Sequence, residues 1–334
     1  MENKPQIKFN IIFTPGIVMH LRLFIMSLLD HSSCLFRIIA NGCSKEEEKL
    51  LKEFCEIDTR LEYYKLPINR MVEHSQVITH LLSAEKSEYF CFMDPDIVAS
   101  GDFMAPFYPL LESHTGIFSG TAIWLNTEGQ ILPEKEKVMG GRFNLTENGF
   151  CLGSTFFAIY HYEILNKYLQ HSPITFDKYN SWERIPPECQ SRLENVHLRM
   201  KRYDTGKVLN ILMQLDGNKF IFKESPHLYH IGGLSSLLVG PLSKVRQRGL
   251  IRGLNKISSR KYLKKMITRR TRMETKYIRR DAADYFTYLL KALFEGKKRP
   301  KIFRVDDKKI SGDIQTASNL IVELYDKYGH LLIT

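Results

Sequence analysis

Residues 89–96 read Tyr89-Phe-Cys-Phe-Met93 and then, without a break, Asp94-Pro-Asp96. Five apolar and aromatic residues in a row are the mark of a buried strand. The two carboxylates are therefore expected at a strand end, at the mouth of a sheet. Carboxylates that close repel each other and favour a cation between them. Hard oxygen ligands suit Mg²⁺ or Mn²⁺, and such an ion would also hold a diphosphate.

The residues upstream supply the rest of the sheet. Residues 7–14 (Ile-Lys-Phe-Asn-Ile-Ile-Phe-Thr) are rich in β-branched and aromatic side chains and stop at Pro15-Gly16. Leu21, Phe24, Ile25, Leu28 and Leu29 then follow helical spacing. A second short strand at 35–39 ends at Asn41-Gly42, and Ser44 with Glu46, Glu47 and Glu48 behind it reads as the start of a helix. Residues 61–66 predict a third strand, about 72–85 a helix, and 89–93 the fourth strand. Strands alternating with helices over short connections predict an α/β sandwich with parallel strands, whose ligands lie off the strands' carboxyl ends.

Downstream the pattern is less regular. Residues 116–119 and 121–125 read as strands, and 150–160 as an apolar run interrupted by Gly153. Residues 187–199 and 206–215 read as helices, and 219–222 as a strand. After about residue 243 the chain turns basic and helical.

Length and charge narrow the function classes. The 334 residues, 43% hydrophobic and 25% charged, exclude a fibrous or wholly disordered chain. The net charge of +11 is unevenly placed: residues 244–301 carry 20 Lys and Arg against 4 Asp and Glu, which leaves the remainder at −5. The basic segment rather than the body is expected to meet an anionic partner. Tyr285, Phe286, Leu289 and Leu293 keep helical spacing there, and insertion of these side chains into an anionic membrane surface is one expectation, alongside packing on the body. Nucleic acid is disfavoured, because no reading motif accompanies the charge. The six cysteines form no Cys-x-x-Cys pair and read as buried, reduced thiols. The apolar stretches at 9–29 and 227–243 are too interrupted by polar residues, Gly or Pro to span a bilayer, so a cytoplasmic chain without an anchor is expected.

Four features in order give the first 235 or so residues a resemblance to glycosyltransferases of the GT-A fold. They are the strand ending Phe13-Thr14-Pro15-Gly16, the strand and turn Arg37-Ile-Ile-Ala-Asn41-Gly42, the aromatic strand into Asp94-Pro-Asp96, and Leu228-Tyr-His230-Ile-Gly232-Gly233. The resemblance implies a GT-A-like, Rossmann-like α/β/α sandwich with a mixed sheet. It implies a catalytic domain over 1–243, with the donor half at about 1–100 and the acceptor half at 101–243, followed by a basic helical region over 244–334. It further implies that Asp94, Asp96 and His230 hold Mn²⁺ or Mg²⁺ bridging the diphosphate of a nucleotide-sugar donor. Thr14, Gly16, Asn41, Asp94, Gly232 and Gly233 would line the donor, with Asn41 at the base edge and Arg70 or His74 near the base or phosphates. The acceptor would be a glycan or a lipid-linked sugar in cell-surface polysaccharide assembly.

Transfer with inversion also needs a carboxylate to take the acceptor's proton. Asp204, in Tyr203-Asp-Thr-Gly206 ahead of a helix, is the best match, with Glu147, Glu183 and Glu194 behind it. Residues 149–155 resemble the glycine-containing segment beside the donor sugar. Two other classes stay open: a nucleotidyltransferase, disfavoured because residues 14–22 hold only Gly16 where a Gly-rich loop is needed, and a non-catalytic membrane or nucleic-acid adaptor.

Overall fold

The computed structural model describes residues 5–125, 131–132, 143–153, 156–238 and 267–333. The strands are β1 (Lys8–Phe13), β2 (Leu35–Ala40), β3 (Leu61–Lys65), β4 (Tyr89–Met93), β5 (Ile97–Ala99), β6 (Gly116–Phe118), β7 (Ile131–Leu132), β8 (Leu145–Thr146), β9 (Phe157–His161), β10 (Phe220–Phe222) and β11 (Leu228–His230). The helices are α1 (Val18–Asp30), α2 (Lys45–Cys55), α3 (His74–Ser83), α4 (Tyr162–Gln170), α5 (Pro187–Asn195), α6 (Lys207–Leu215), α7 (Leu234–Leu238), α8 (Ile267–Phe294) and α9 (Lys308–Leu332).

Seven strands form one sheet in the order β10-β6-β9-β4-β1-β2-β3. The pairs among β3, β2, β1 and β4, and between β6 and β10, are parallel, whereas β9 runs antiparallel between β4 and β6. The sheet is therefore mixed, as the GT-A resemblance implies and as strand–helix alternation alone did not. Both faces are covered. Along β4, Tyr89, Cys91 and Met93 enter one apolar cluster, and Phe90 and Phe92 enter the other. Burial of successive residues to opposite sides is why this strand reads as one continuous apolar run.

The N-terminal elements follow their local signals closely. Ser44 caps α2 in a capping box with Glu47, each side chain bonding the other's backbone N–H. The later half departs from expectation where turns intervene. Residues 121–125 form no strand; they turn, with only an Ala122–His230 bridge and the Ile123 N–H on the His230 carbonyl. The run 150–160 yields a strand only from Phe157, because Gly153 sits at φ +70° and bends the chain. A Cβ there would meet Asn210 Nδ2 at 2.3 Å and the Phe118 ring at 2.8 Å, so glycine is required. The short strands β5 and β11 and the helix α4 were not anticipated.

The C-terminal helices share the core. Phe286, Leu289, Leu290 and Leu293 of α8 and Ile310, Ile314, Ala317, Ile321 and Leu324 of α9 join α1 in the cluster that contains β1. Polar ties reinforce the docking: Arg22 of α1 donates to the carbonyls of Leu50 at 3.2 Å and Leu332 at 2.9 Å, and Asp30 accepts from Lys327 and Tyr328. The change in sequence character near 243 is thus not an edge of the hydrophobic core. Nor are Tyr285, Phe286, Leu289 and Leu293 available for membrane insertion; all four are buried against the body. Residues 244–266, which hold 9 of the 20 Lys and Arg of the basic run, lie outside the described residues. Among the described residues no helix is long and apolar enough to cross a membrane.

Phe286→Ala should lower stability by about 3–5 kcal/mol in urea titration, whereas Tyr288→Ala, at a residue 53% exposed, should change it by less than about 0.5 kcal/mol. Equal, small effects at both positions would mean that the α8–α9 hairpin is not part of the cooperative core.

Candidate metal centre

Asp94-Pro95-Asp96 is the connection between β4 and β5, off the carboxyl end of the central parallel strands. β5 pairs antiparallel with β11 in a register that sets His230 opposite Ile97. That register brings a histidine 134 positions away in the chain to the side of Asp96. His230 Nε2 lies 3.3 Å from Asp96 Oδ1 and 3.8 Å from Asp94 Oδ2. One ligand atom from each of the three residues falls within 4.8 Å of the others.

The surroundings fix how these groups point. The Leu234 N–H at the start of α7 donates to Asp96 Oδ2 at 3.2 Å, which aims Oδ1 at His230. His230 Nδ1 lies 2.7 Å from the Gly120 carbonyl oxygen. A carbonyl can only accept, so Nδ1 carries a proton and Nε2 is the atom presented to the aspartates. The Phe156 ring covers the imidazole with centroids 4.3 Å apart. The Phe156 carbonyl accepts the Asp94 N–H at 2.8 Å. The Asp96 and His230 side chains are 3% and 2% exposed, but Asp94 is 27% exposed, so the group opens to solvent on the Asp94 side.

Charge within the group is unbalanced. Burial and the neighbouring Asp96 push the Asp94 carboxyl up to about 7, with His230 opposing and Asp204 adding to the rise. Burial disfavours a charged imidazole at His230, but Asp96, Asp94 and the Gly120 carbonyl outweigh it and raise its pKa. Burial likewise works against Asp96, and His230 more than offsets it, so that carboxyl is lowered. Even so, Asp96 Oδ1 and His230 Nε2 make no hydrogen bond although both are buried. Two inward-facing donor atoms that meet only each other, 3.3 Å apart and without a hydrogen bond, beside a second carboxylate, fit a divalent cation. The mixed O and N donor set suits Mn²⁺ and remains compatible with Mg²⁺.

Asp204 lies within electrostatic range of Asp94. It sits half-buried just before α6, and its charge acts on Asp94, His74 and Lys207. Glu147, Glu183 and Glu194 are exposed instead, and Glu194 pairs with Arg199 at 3.0 Å. Lys207 is a member of this region that sequence reading missed. It is buried at the first position of α6, donates to the carbonyls of Phe143 at 2.6 Å and Gly153 at 3.1 Å, and is pushed down to about 8 by burial against the pull of Asp204. A lysine at a helix start inside an apolar stretch, Gly206-Lys-Val-Leu, was the available signal. His74, at the start of α3, stacks edge-on with Phe92 and is lowered to about 4 by burial, so it is neutral at pH 7.

The expected donor-lining residues separate into two groups. Thr14 is half-buried at the end of β1. The Gly16 amide is already held by Glu47 Oε1. Asn41 does not offer a free edge: its Nδ2 donates to the Val72 carbonyl and its Oδ1 accepts the Val72 N–H, at 3.0 and 2.9 Å. It pins the 66–73 loop over the strand ends, helped by Gly42, where a Cβ would lie 2.3 Å from the Met71 nitrogen. Arg70 is exposed in that loop. Gly232 has φ +74° and lets its chain pack under Trp124, whose Nε1 donates to the Gly232 carbonyl at 3.3 Å. Gly233 follows at φ +94° and is partly exposed beside α7. Ser154 and Thr155 lie outside the described residues.

In its mixed sheet and its Asp-x-Asp group completed by a downstream histidine, the chain resembles GT-A glycosyltransferases. No protein-family model matches it, and no curated protein does. Among solved structures it is similar to a mannosyltransferase from Pyrobaculum calidifontis in complex with GDP-Man and Mn²⁺, at 7% identity and TM-score 0.37 over 50% of this chain and 47% of that one. It is similar also to GalNAc-T7 with UDP, GalNAc and Mn²⁺, at 15% identity and TM-score 0.30 over 35% of this chain and 23% of that one. A third is the apo form of the glycosyltransferase GlyE of Streptococcus pneumoniae, at 11% identity and TM-score 0.36 over 65% of this chain and 45% of that one. The chain therefore spans less than half the length of each. At these TM-scores the likenesses add no weight, and the functional reading stands on the geometry of this chain.

Protons compete with a cation for this site. Asp94, raised to about 7, and His230, also raised, both hold more protons as pH falls. Mn²⁺ affinity should therefore weaken from pH 8 to pH 6, by about tenfold per pH unit for each proton displaced. Titration calorimetry in two buffers of different ionisation enthalpy should report proton release on binding. A pH-independent affinity without proton release would remove Asp94 and His230 as ligands.

Proposed function

We propose that this protein is a divalent-metal-dependent glycosyltransferase that takes a sugar from a nucleotide-diphosphate donor. The observation that carries the reading is the Asp94–Asp96–His230 group, with buried Asp96 and His230 atoms that make no hydrogen bond and a half-buried Asp94, at the carboxyl ends of the central strands. Asp94, Asp96 and His230 would hold the ion, which when bound supplies Lewis-acid stabilisation to the departing diphosphate. Asp94 faces solvent, so the donor approaches on that side. Asp204 would accept the acceptor hydroxyl's proton. Its position before α6 keeps it close enough to Asp94 for the two charges to interact, and its charge also acts on Lys207. Neutral His74 adds no charge that would compete for the donor phosphates. Thr14 and Gly233 remain the best placed of the expected donor contacts.

We assign the acceptor to glycans or lipid-linked sugars, as in cell-surface polysaccharide assembly, and the setting to the cytoplasmic face of a membrane. What supports this is the +16 charge over residues 244–301, together with exposed Lys298, Lys301 and Arg304 after α8. With the apolar side chains of α8 buried, attachment would be electrostatic.

Release of nucleotide diphosphate across a panel of nucleotide sugars with Mn²⁺ is the direct test, and no release from any donor would defeat the reading. Asp96→Ala should keep its circular dichroism and lose metal-supported donor binding. Asp204→Asn should bind donor as before and lose transfer by about 10²–10⁴-fold; full transfer would exclude Asp204 as the base. Attachment to anionic vesicles should fall steeply between 0.1 and 0.5 M salt, since each contact contributes only about 1 kcal/mol and is screened. Equal recovery on neutral vesicles would rule out the electrostatic account.

A further inference from the structure

Glu224 lies two residues beyond β10 and six before His230. Its carboxylate gathers three donors from one turn: Ser119 Oγ at 3.3 Å and the Gly120 N–H at 3.3 Å on Oε2, and the Thr121 N–H at 3.0 Å on Oε1. That turn is unusual in its backbone, with Gly120 at φ +89°. Its Gly120 carbonyl is the acceptor for His230 Nδ1, and the same turn continues into Ala122 and Ile123, which bridge to the His230 backbone. Thr121 also receives the Asn144 amide at 3.2 Å.

We propose that Glu224 is a positioning residue for the metal centre, acting through the 119–121 turn to fix the tautomer and aim of His230. The inference rests on the metal-centre reading above. A histidine ligand must present a lone pair, so the proton has to stay on the other ring nitrogen. Here that proton is held by one backbone carbonyl, and that carbonyl belongs to a left-handed residue whose N–H is tied to Glu224. Without the carboxylate, the Gly120 and Thr121 N–H groups lose their acceptor and the turn relaxes. The Gly120 carbonyl then no longer discriminates between the two tautomers. The tautomer with the proton on Nε2 points a donor at the site and cannot ligate.

The test is Mn²⁺ affinity, read from the electron paramagnetic resonance of free Mn²⁺, in a double-mutant cycle of Glu224→Ala with His230→Ala. Partners of this kind typically change metal affinity by about 10–100-fold, and that loss is expected for Glu224→Ala with the circular dichroism unchanged. If Glu224 acts through His230, the double variant should bind no more than about twofold more weakly than His230→Ala alone. Losses that multiply would assign Glu224 to general structure and overturn the proposal, as would wild-type affinity in Glu224→Ala. Should Glu224→Ala fail to fold, Glu224→Gln, which keeps one acceptor oxygen, replaces it in the cycle; a smaller loss that vanishes in the His230→Ala background is expected, and wild-type affinity overturns the proposal. Wild-type protein binding Mn²⁺ no better than Asp96→Ala would signal failure of the metal-centre reading itself, a result distinct from the failure of Glu224.

Discussion

The pairing of β5 with β11 is the constraint on which the site depends. Only three residues of each strand take part, yet their register sets His230 opposite Ile97 and so beside Asp96. A slip of one residue would turn the imidazole to the other face. The register is held on both flanks. Ile231 donates to the Asp96 carbonyl, Leu234 donates to the Asp96 carboxylate, and Ile123 donates to the His230 carbonyl. Side-chain and main-chain bonds among Asp96, Ile123, His230, Ile231 and Leu234 therefore converge, and the Asp96 carboxylate is oriented by a backbone amide rather than by a flexible partner.

The C-terminal helices matter to that site although they carry none of it. α9 packs on α1 and reaches β5, and α1 lines the same apolar cluster as Ile97, Val98 and Ala99. The Ala99 N–H is moreover bonded to Ser27 of α1 at 2.9 Å. β5 is thus clamped between β11 and α1, and α1 is in turn clamped by Arg22, which bonds Leu332 at the far end of the chain. A basic, helical C-terminus invites reading as an appended surface element. Its buried stripe makes it a structural wall of the body, and its exposed lysines and arginines are what remain for a partner.

The readable parts of the sequence were those in which local chemistry and tertiary context agree. β1, α1, β2, α2, β3 and β4 each carry their own period and their own stop, such as Pro15-Gly16 and the Ser44 capping box. Asp94 and Asp96 were legible because a fully buried strand ran straight into them. His230 was legible only through resemblance, since nothing within Leu228-Tyr-His-Ile discloses a partner 134 residues upstream. Asn41 misled because an asparagine before glycine is a turn former as well as a base reader, and here both amide atoms secure the 66–73 loop. Tyr285, Phe286, Leu289 and Leu293 misled in the opposite sense: helical spacing of apolar residues is the same for a membrane face and for a core face. Lys207 and Glu224 act through contacts with turns distant in sequence, which no local pattern encodes.

The unbalanced charge of the centre is best understood as a stability cost accepted for function. Asp94 and Asp96 are drawn together around one raised histidine, with Asp204 acting on Asp94, and Asp96 Oδ1 and His230 Nε2 face each other at 3.3 Å. Glu85 is a buried acid of another kind: its Oε1 accepts from the Lys86 amide and from the Ser87 amide and hydroxyl, and its Oε2, without a hydrogen bond, faces the opposite charge of Arg37 at 3.8 Å. A fold selected for stability alone would place neutral or apolar side chains at the mouth of β4, because an unpaired buried polar group is costly. The carboxylates stand where the parallel strands end, and the Leu234 amide at the start of α7 holds Asp96. Two carboxylates and a histidine crowded at one strand mouth, where packing alone would favour apolar side chains, mark the place where chemistry set the residues.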